Sequence, residues 1–304
     1  MKSINFLLAL LFISFCVQAA DTDSLNAKGT SVKGKKQSEW TYYRNDGTVS
    51  YQCNYIDDVL YGKYKAFFSN GKVSLEGNFQ AGKEVGLFIS YYENGNVASK
   101  KSYDFGMLYG KSEEFYENGN PYREDYYKEY KRVGFWKQWY ENKQLNWIAE
   151  YKNGLQTGNY VSYYENGNKK EEGAYENDTR IGKWIYYNKD GTIQQTRNYK
   201  GGMLTGVNVV YFPDGKVKEE TRYIDDEREG PYTLYDDRGQ VLVRSSFQKN
   251  LVNGLWEDFY PSGLRKSKGV FVRGQRAGLW KYFNEQGKLV EKKKYKLNPN
   301  QASW

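Results

Sequence analysis

The chain has 304 residues, of which 18% are aromatic, with 31 Gly, 31 Tyr and only 5 Pro. So many rings exclude disorder, and such a composition favours short strands joined by tight turns over a helical bundle. The chain has no His, which excludes imidazole chemistry, and a net charge of +8 spread over this length does not single out nucleic acid.

Lys2 precedes an apolar run from Phe6 to Phe15, and Val17-Gln18-Ala19 offers small residues at the places a signal peptidase needs. This predicts a signal peptide over 1–20 and a periplasmic or secreted protein. About a dozen apolar residues fall short of the roughly 20 that span a bilayer. Cys16 raises a lipidated alternative, although Phe15 stands where a small residue would precede the modified Cys. After cleavage Cys53 is the one remaining thiol. With no His to activate it, it reads as a small strand residue. Residues 21–37, polar with Gly and Ser, read as a flexible leader.

From residue 38 to 297 the chain is one repeat. Gly62, Gly86, Gly110, Gly134, Gly158, Gly182, Gly206, Gly230, Gly254 and Gly278 fall 24 residues apart, and Ser38 holds the register one period earlier. That makes eleven copies. Five places on stands an aromatic in every copy, from Tyr43 and Phe67 to Phe283; seventeen places on stands another, from Tyr55 and Phe79 to Tyr295. Each copy opens with a ring-rich segment, as in Gly182-Lys183-Trp184-Ile185-Tyr186-Tyr187, and an Asn-Gly or Asp-Gly pair comes next in most. Such pairs accept φ > 0 at both central positions and favour hairpins. A second break comes just before the next repeat Gly, at Gly82, Gly106, Gly154 or Asp178 for example. Two strands and two turns fill the period and leave no room for a helix. The expected fold is all-β: an elongated single-layer antiparallel meander of about eleven hairpins, with 298–304 as a tail. Rings two places after the repeat Gly (Trp40, Tyr64, Phe88, Trp136) have the opposite strand parity to those five places after it. Aromatics should therefore lie on both faces unless a bulge intervenes.

Gly158-Asn159-Tyr160-Val161-Ser162-Tyr163-Tyr164-Glu165-Asn166-Gly167 and Gly254-Leu255-Trp256-Glu257-Asp258-Phe259-Tyr260 resemble the MORN repeat, most closely the bacterial variant of YwqK-type antitoxin-family proteins. The resemblance covers 38 to about 297. It implies an elongated curved sheet of hairpins that binds proteins or acidic lipids. A fainter similarity links Lys183-Trp184-Ile185-Tyr186-Tyr187 to choline- and glucan-binding repeats, which usually run near 20 residues and carry a Gly-Trp junction absent here.

No enzyme, cofactor or metal site is expected. Paired acids such as Asp57-Asp58, Glu171-Glu172 and Asp225-Asp226 fall on opposite strand faces or in turns, which suits no shared-proton dyad. Binding remains: to a protein, as an immunity or antitoxin-like partner, or alternatively to envelope glycan or acidic lipid through the aromatic rows and basic ends. The oligomeric state is left open, and no nucleic acid is expected. The fifth copy departs furthest from the pattern: Lys143 replaces the turn Gly and Trp147 is added. The inter-repeat turn before it is also unusual, with Lys128-Glu129-Tyr130-Lys131-Arg132 in place of a Gly turn. The expected binding site is therefore Trp136, Trp139, Tyr140 and Trp147, with Lys143 and Arg132 at the rim. If Trp147 is a hot spot, its replacement by Ala should weaken binding by roughly 2 kcal/mol and spare stability.

Overall fold

The computed structural model describes residues 26–298. The expected signal peptide, Cys16 and most of the tail lie outside the described residues. Strands and turns account for nearly all of what is described, and no helix occurs among these residues. The chain divides into two units, 1–119 and 120–304, and each is an antiparallel meander.

The first unit holds β1 (Asn26–Val32), β2 (Lys35–Tyr43), β3 (Val49–Ile56), β4 (Val59–Phe67), β5 (Val73–Gln80), β6 (Lys83–Tyr91), β7 (Val97–Asp104) and β8 (Met107–Phe115). Each pairs with the next. The second unit repeats the plan from Pro121–Lys128 to Leu289–Tyr295. Its two-residue pieces Lys131–Arg132, Met203–Leu204 and Leu251–Val252 are the openings of the strands Gly134–Trp139, Gly206–Tyr211 and Gly254–Phe259. Two strands per copy are thus present as expected. The leader is not wholly irregular: β1 lies within it and pairs with β2. Gly29 of β1 supports the Trp40 ring as later glycines support later rings, so β1 serves as half a repeat.

The two turns of each copy differ in type. The Asn-Gly turns do not have φ > 0 at both positions. Gly167 is left-handed, with φ 88°, while Asn166 keeps negative φ and its Oδ1 accepts from the Asn168 N–H at 3.1 Å. This is a type I turn completed by a glycine bulge, held by the Asn side chain. The two-residue turns with both φ positive lie at the other margin, at Asp57-Asp58, Asn177-Asp178 and Asp225-Asp226 among others.

The repeat Gly sits in a bulge. Cys53 pairs with Tyr64 and Tyr55 with Leu60, so Tyr61, Gly62 and Lys63 together face Asn54. Gly62 takes φ 78°, a conformation open to Gly at little cost. Beyond the bulge the two ring rows separate. Trp184 packs between Tyr175 and Tyr199, with centroids 5.2 and 6.2 Å away, whereas Tyr187 turns to the opposite face and donates to Glu172. On the first face rings touch edge to face across strands. In the first unit Tyr64, Phe79, Phe88 and Tyr103 succeed one another at 5.3–5.5 Å. Such pairs contribute beyond the area they bury.

A single layer must hold neighbouring copies together without a second sheet, and both margins do so. At one margin the Tyr hydroxyl beside the Asn-Gly turn donates to a carbonyl of the next copy: Tyr92 to Phe115, Tyr140 to Tyr163, Tyr164 to Tyr187, Tyr260 to Phe283, at 2.7–2.9 Å. At the other, the turn N–H reaches back to the preceding hairpin, as from Gly82 to the Leu60 carbonyl and from Gly202 to that of Arg180.

A longer period overlies the 24-residue frame. Trp40, Phe88, Trp136, Trp184, Tyr232 and Trp280 lie 48 residues apart and are all aromatic, while Tyr64, Ser112, Tyr160, Asn208 and Trp256 alternate with them. Four residues before members of the first series stand Lys36, Glu84, Arg132, Arg180, Arg228 and Arg276; before the second stand Leu60, Leu108, Gln156, Leu204 and Val252. The structure explains the coupling. Arg180 lies 4.0 Å above the Trp184 ring, Arg276 4.6 Å above Trp280 and Arg132 4.6 Å above Trp136. From the neighbouring strand, Gly77, Gly173 and Gly269 lie flat against Phe88, Trp184 and Trp280. The physical building block is a pair of hairpins.

Candidate functional site

The ring face carries a constellation that recurs in the 48-residue frame. Arg180 covers Trp184 and donates to the Tyr186 hydroxyl at 2.8 Å, and that hydroxyl meets the Tyr199 hydroxyl at 3.1 Å. Arg276, Trp280, Tyr282 and Tyr295 repeat it, with the hydroxyls 2.9 Å apart. Lys36, Trp40, Tyr42 and Tyr55 repeat it in the first unit, where Lys36 Nζ donates to Tyr42 at 2.8 Å. Each cation is already engaged with rings and phenols of its own hairpins, so these groups first serve packing. Arg180 also pairs with Glu171 at 3.4 Å.

Tyr91, Tyr187 and Tyr282 are held protonated. Bonds from Tyr282 and Arg276 instead pull Tyr295 down, and against its burial, bonds from Tyr186, Arg197 and Arg180 pull Tyr199 down. Tyr91 donates to the Glu76 carboxylate at 2.6 Å, and that bond, then burial, pushes it up to about 12. Burial and a bond to Glu172 push Tyr187 up to about 12, and burial with the Tyr295 contact does the same for Tyr282. An unfolded Tyr ionises near 10, so from about pH 10 to 12 the unfolded chain loses protons that the folded chain keeps. The stability these tyrosines contribute is intact below pH 10 and falls as pH rises through 12. A denaturant series from pH 8 to 12 should show stability falling above pH 10, and replacing Tyr91, Tyr187 and Tyr282 by Phe should flatten that fall. Cys53 is buried, and burial pushes its thiol up to about 11, which agrees with a packing role.

The six residues singled out in the fifth copy do not form one cluster. Trp136 is buried on the ring face, its Nε1–H donating to the Tyr126 carbonyl at 3.2 Å and Arg132 covering its ring. Trp147 shares that face, half-buried, and donates to Gln138 Oε1. Trp139 holds the position of Tyr187 and faces the other way. Tyr140 belongs to the marginal hydroxyl ladder, and Lys143 is at the turn beyond it. Trp147 is thus tied into the sheet, and its loss should lower stability before it touches binding.

The fifth copy is nevertheless strained. Lys143 takes φ 71°, where the other copies have Gly, at a cost on the order of 1 kcal/mol. At the opposite margin Glu129 and Tyr130 take φ 50° and 63°. The other turns of this kind among the described residues have Gly, Asn or Asp in the second position, as in Ala81-Gly82, Asn153-Gly154 and Lys249-Asn250. Tyr130 is 58% exposed and Phe135 53% exposed. Sequence reading noted the altered turn at Tyr130 but built the expected site from the Trp residues and left Tyr130 and Phe135 out of it.

The family described as MORN repeat variant matches residues 60–81, 84–104, 108–129, 156–177, 180–200, 204–225 and 276–297, together half of the chain. The match passes over 130–155, which hold most of the strained copy, and also over 226–275 and the residues before 60. No curated protein matches the sequence. Among solved structures, a complex described as TcdB2-TccC3-Cdc42 is similar at 12% identity over 82% of this chain and 16% of that chain, with a TM-score of 0.19. The Tc holotoxin pore of Photorhabdus luminescens is similar at 12% identity over 81% and 17%, with a TM-score of 0.18. The chain spans about a sixth of the length of these structures, and such scores carry no argument about function.

Proposed function

Because this chain belongs to the MORN repeat variant family, we propose that it is an exported, non-enzymatic scaffold that binds a protein, in an immunity or antitoxin-like role. The observation that supports this reading is the way side chains are used. The rings of one face are engaged in packing and capped by cations, whereas apolar side chains gather unburied along the margin of the two-residue turns. In the first unit these are Ile56, Val59, Tyr61, Phe105, Met107 and Tyr109; in the second they include Tyr130, Phe135, Leu155, Val207, Ile224 and Leu255. Unburied apolar groups among polar ones mark surfaces that meet a partner.

A second reading is favoured by one observation. The last strand exposes Lys292, Lys293 and Lys294 in a row, a surface suited to acidic lipid or phosphate-bearing envelope glycan. Lysines on an edge strand also block edge-to-edge association, so the row has an explanation without a ligand. An affinity pull-down from envelope extract, run beside purified cell wall and anionic vesicles, separates the two. The protein reading expects one discrete polypeptide retained in stoichiometric amount and no retention on wall or vesicles. Salt-sensitive retention on vesicles or wall, with no polypeptide, overturns it in favour of the second.

A further inference from the structure

The turn leading into the fifth copy concentrates features that disfavour folding at one margin of the sheet. Glu129 and Tyr130 occupy a turn that wants Gly, Asn or Asp. Lys128 and Lys131, which flank that turn, pair directly across the strands. Like charges in that relation repel. The next hairpin brings a third lysine to the same margin: Lys152 pairs with Leu155, and the turn after it is tied to this hairpin by the bond from the Gly154 N–H to the Arg132 carbonyl at 2.9 Å. Strand parity places Lys128, Lys131, Lys152, Phe135 and Leu155 on one face. None of the three lysines makes an ion pair among the described residues. In the corresponding places of later copies stand Glu176, Thr179, Lys200, Met203, Ile224 and Glu227, so the lysine group is particular to the junction of the fourth and fifth copies.

Backbone strain and unpaired like charge are what a fold optimised for stability removes, and both persist where a partner compensates for them. Resting on the reading of the protein as a protein-binding scaffold, we propose that this margin docks an acidic segment of the partner, its carboxylates meeting Lys128, Lys131 and Lys152 and one apolar side chain lodging against Tyr130, Phe135 and Leu155. Charge complementarity selects this occupant. Three ammonium groups without counter-ions along two successive exposed turns fit an extended acidic peptide, and the exposed rings beside them give it an anchor.

The test uses the full mature chain and a labelled peptide of glutamates around one Trp, with the glutamine version as control. The glutamate peptide should bind and the glutamine peptide should not, and binding should weaken as salt is raised. Lys128→Glu with Lys131→Glu should weaken binding at least about tenfold, the scale of losing desolvated charge pairs. Lys292→Glu with Lys293→Glu, the same charge change on the last strand, should leave it within about twofold. Replacing Glu129-Tyr130 by Asn-Gly should raise the melting temperature and still weaken binding, which a purely structural role for the turn does not produce. Equal loss from both charge reversals overturns the proposal, as does unaltered binding in the Asn-Gly variant or no binding by the wild type. Anionic vesicles competing through the same lysines would reassign the surface to lipid. A discrete polypeptide in the envelope pull-down that survives Lys131→Glu would sink this docking point and leave the scaffold reading standing.

Discussion

Gly173→Ala should unfold the centre of the second unit. A methyl group placed on Gly173 would lie 2.3 Å from ring carbons of Trp184, far inside van der Waals contact. The ring has nowhere to go: it is 0% exposed, Arg180 covers it at 4.0 Å, and Tyr175 and Tyr199 stand on either side. Overpacking of this kind costs about 1–3 kcal/mol where neighbours can adjust, and here the strand backbone itself must shift, so about 3 kcal/mol is expected. Hydrogen exchange should show protection lost across 145–200 and kept toward the far repeats, because each hairpin leans only on its neighbours. The natural pair Ala149 and Tyr160, facing each other across strands, points to the rescue. Gly173→Ala combined with Trp184→Tyr should recover part of the loss. If Gly173→Ala alone leaves exchange and melting unchanged, the account of the ring face is wrong.

The second large effect belongs to Trp280→Ala. Trp280 is also 0% exposed, set on Gly269, capped by Arg276 and bonded through its Nε1–H to the Val270 carbonyl at 3.2 Å. Truncating a buried Trp typically costs about 3–5 kcal/mol. The loss should show as early unravelling of 254–298, with Arg276 left over a void. Trp147→Ala removes the same side chain from a half-buried place and should cost clearly less. Equal losses from the two would show that burial on this face does not set the energetics.

Much of the fold was legible because the period is unbroken. The repeat glycines marked the frame but not that they sit in bulges. The parity of Trp184 against Tyr187 left two outcomes, rings on both faces or an intervening bulge, of which the structure has the first. The Asn-Gly turns were located correctly but typed wrongly: the Asn side chain satisfies its own turn N–H groups, so Asn need not go left-handed. β1 was missed because the leader looks polar. Yet Gly29 and Trp40 precede Gly77 and Phe88 by one 48-residue step, and that spacing held the answer. The site was less legible. Trp136, Trp139, Tyr140 and Trp147 are close in sequence, but a strand sends neighbours to opposite faces and the bulge re-aims the side chains beyond it. Nearness along the chain therefore did not mean a shared surface. The strained Glu129-Tyr130 turn is a matter of turn chemistry, whereas the exposure of Phe135 needed the sheet.

The pairing of hairpins bears on how such a chain can grow or shrink. Excising one copy, for example 158–181, would join Thr157 to Gly182. Trp184 would then meet Ala149 in place of Gly173 and Gln156 in place of Arg180, a tall ring on a floor built for a shorter one. Excising 158–205 would bring Asn208 to the seat that Tyr160 occupies, a residue of the same alternating series. Lineages of this protein should therefore differ by even numbers of hairpin copies, because a gene that slips by one period must repair its new seam before the product folds well.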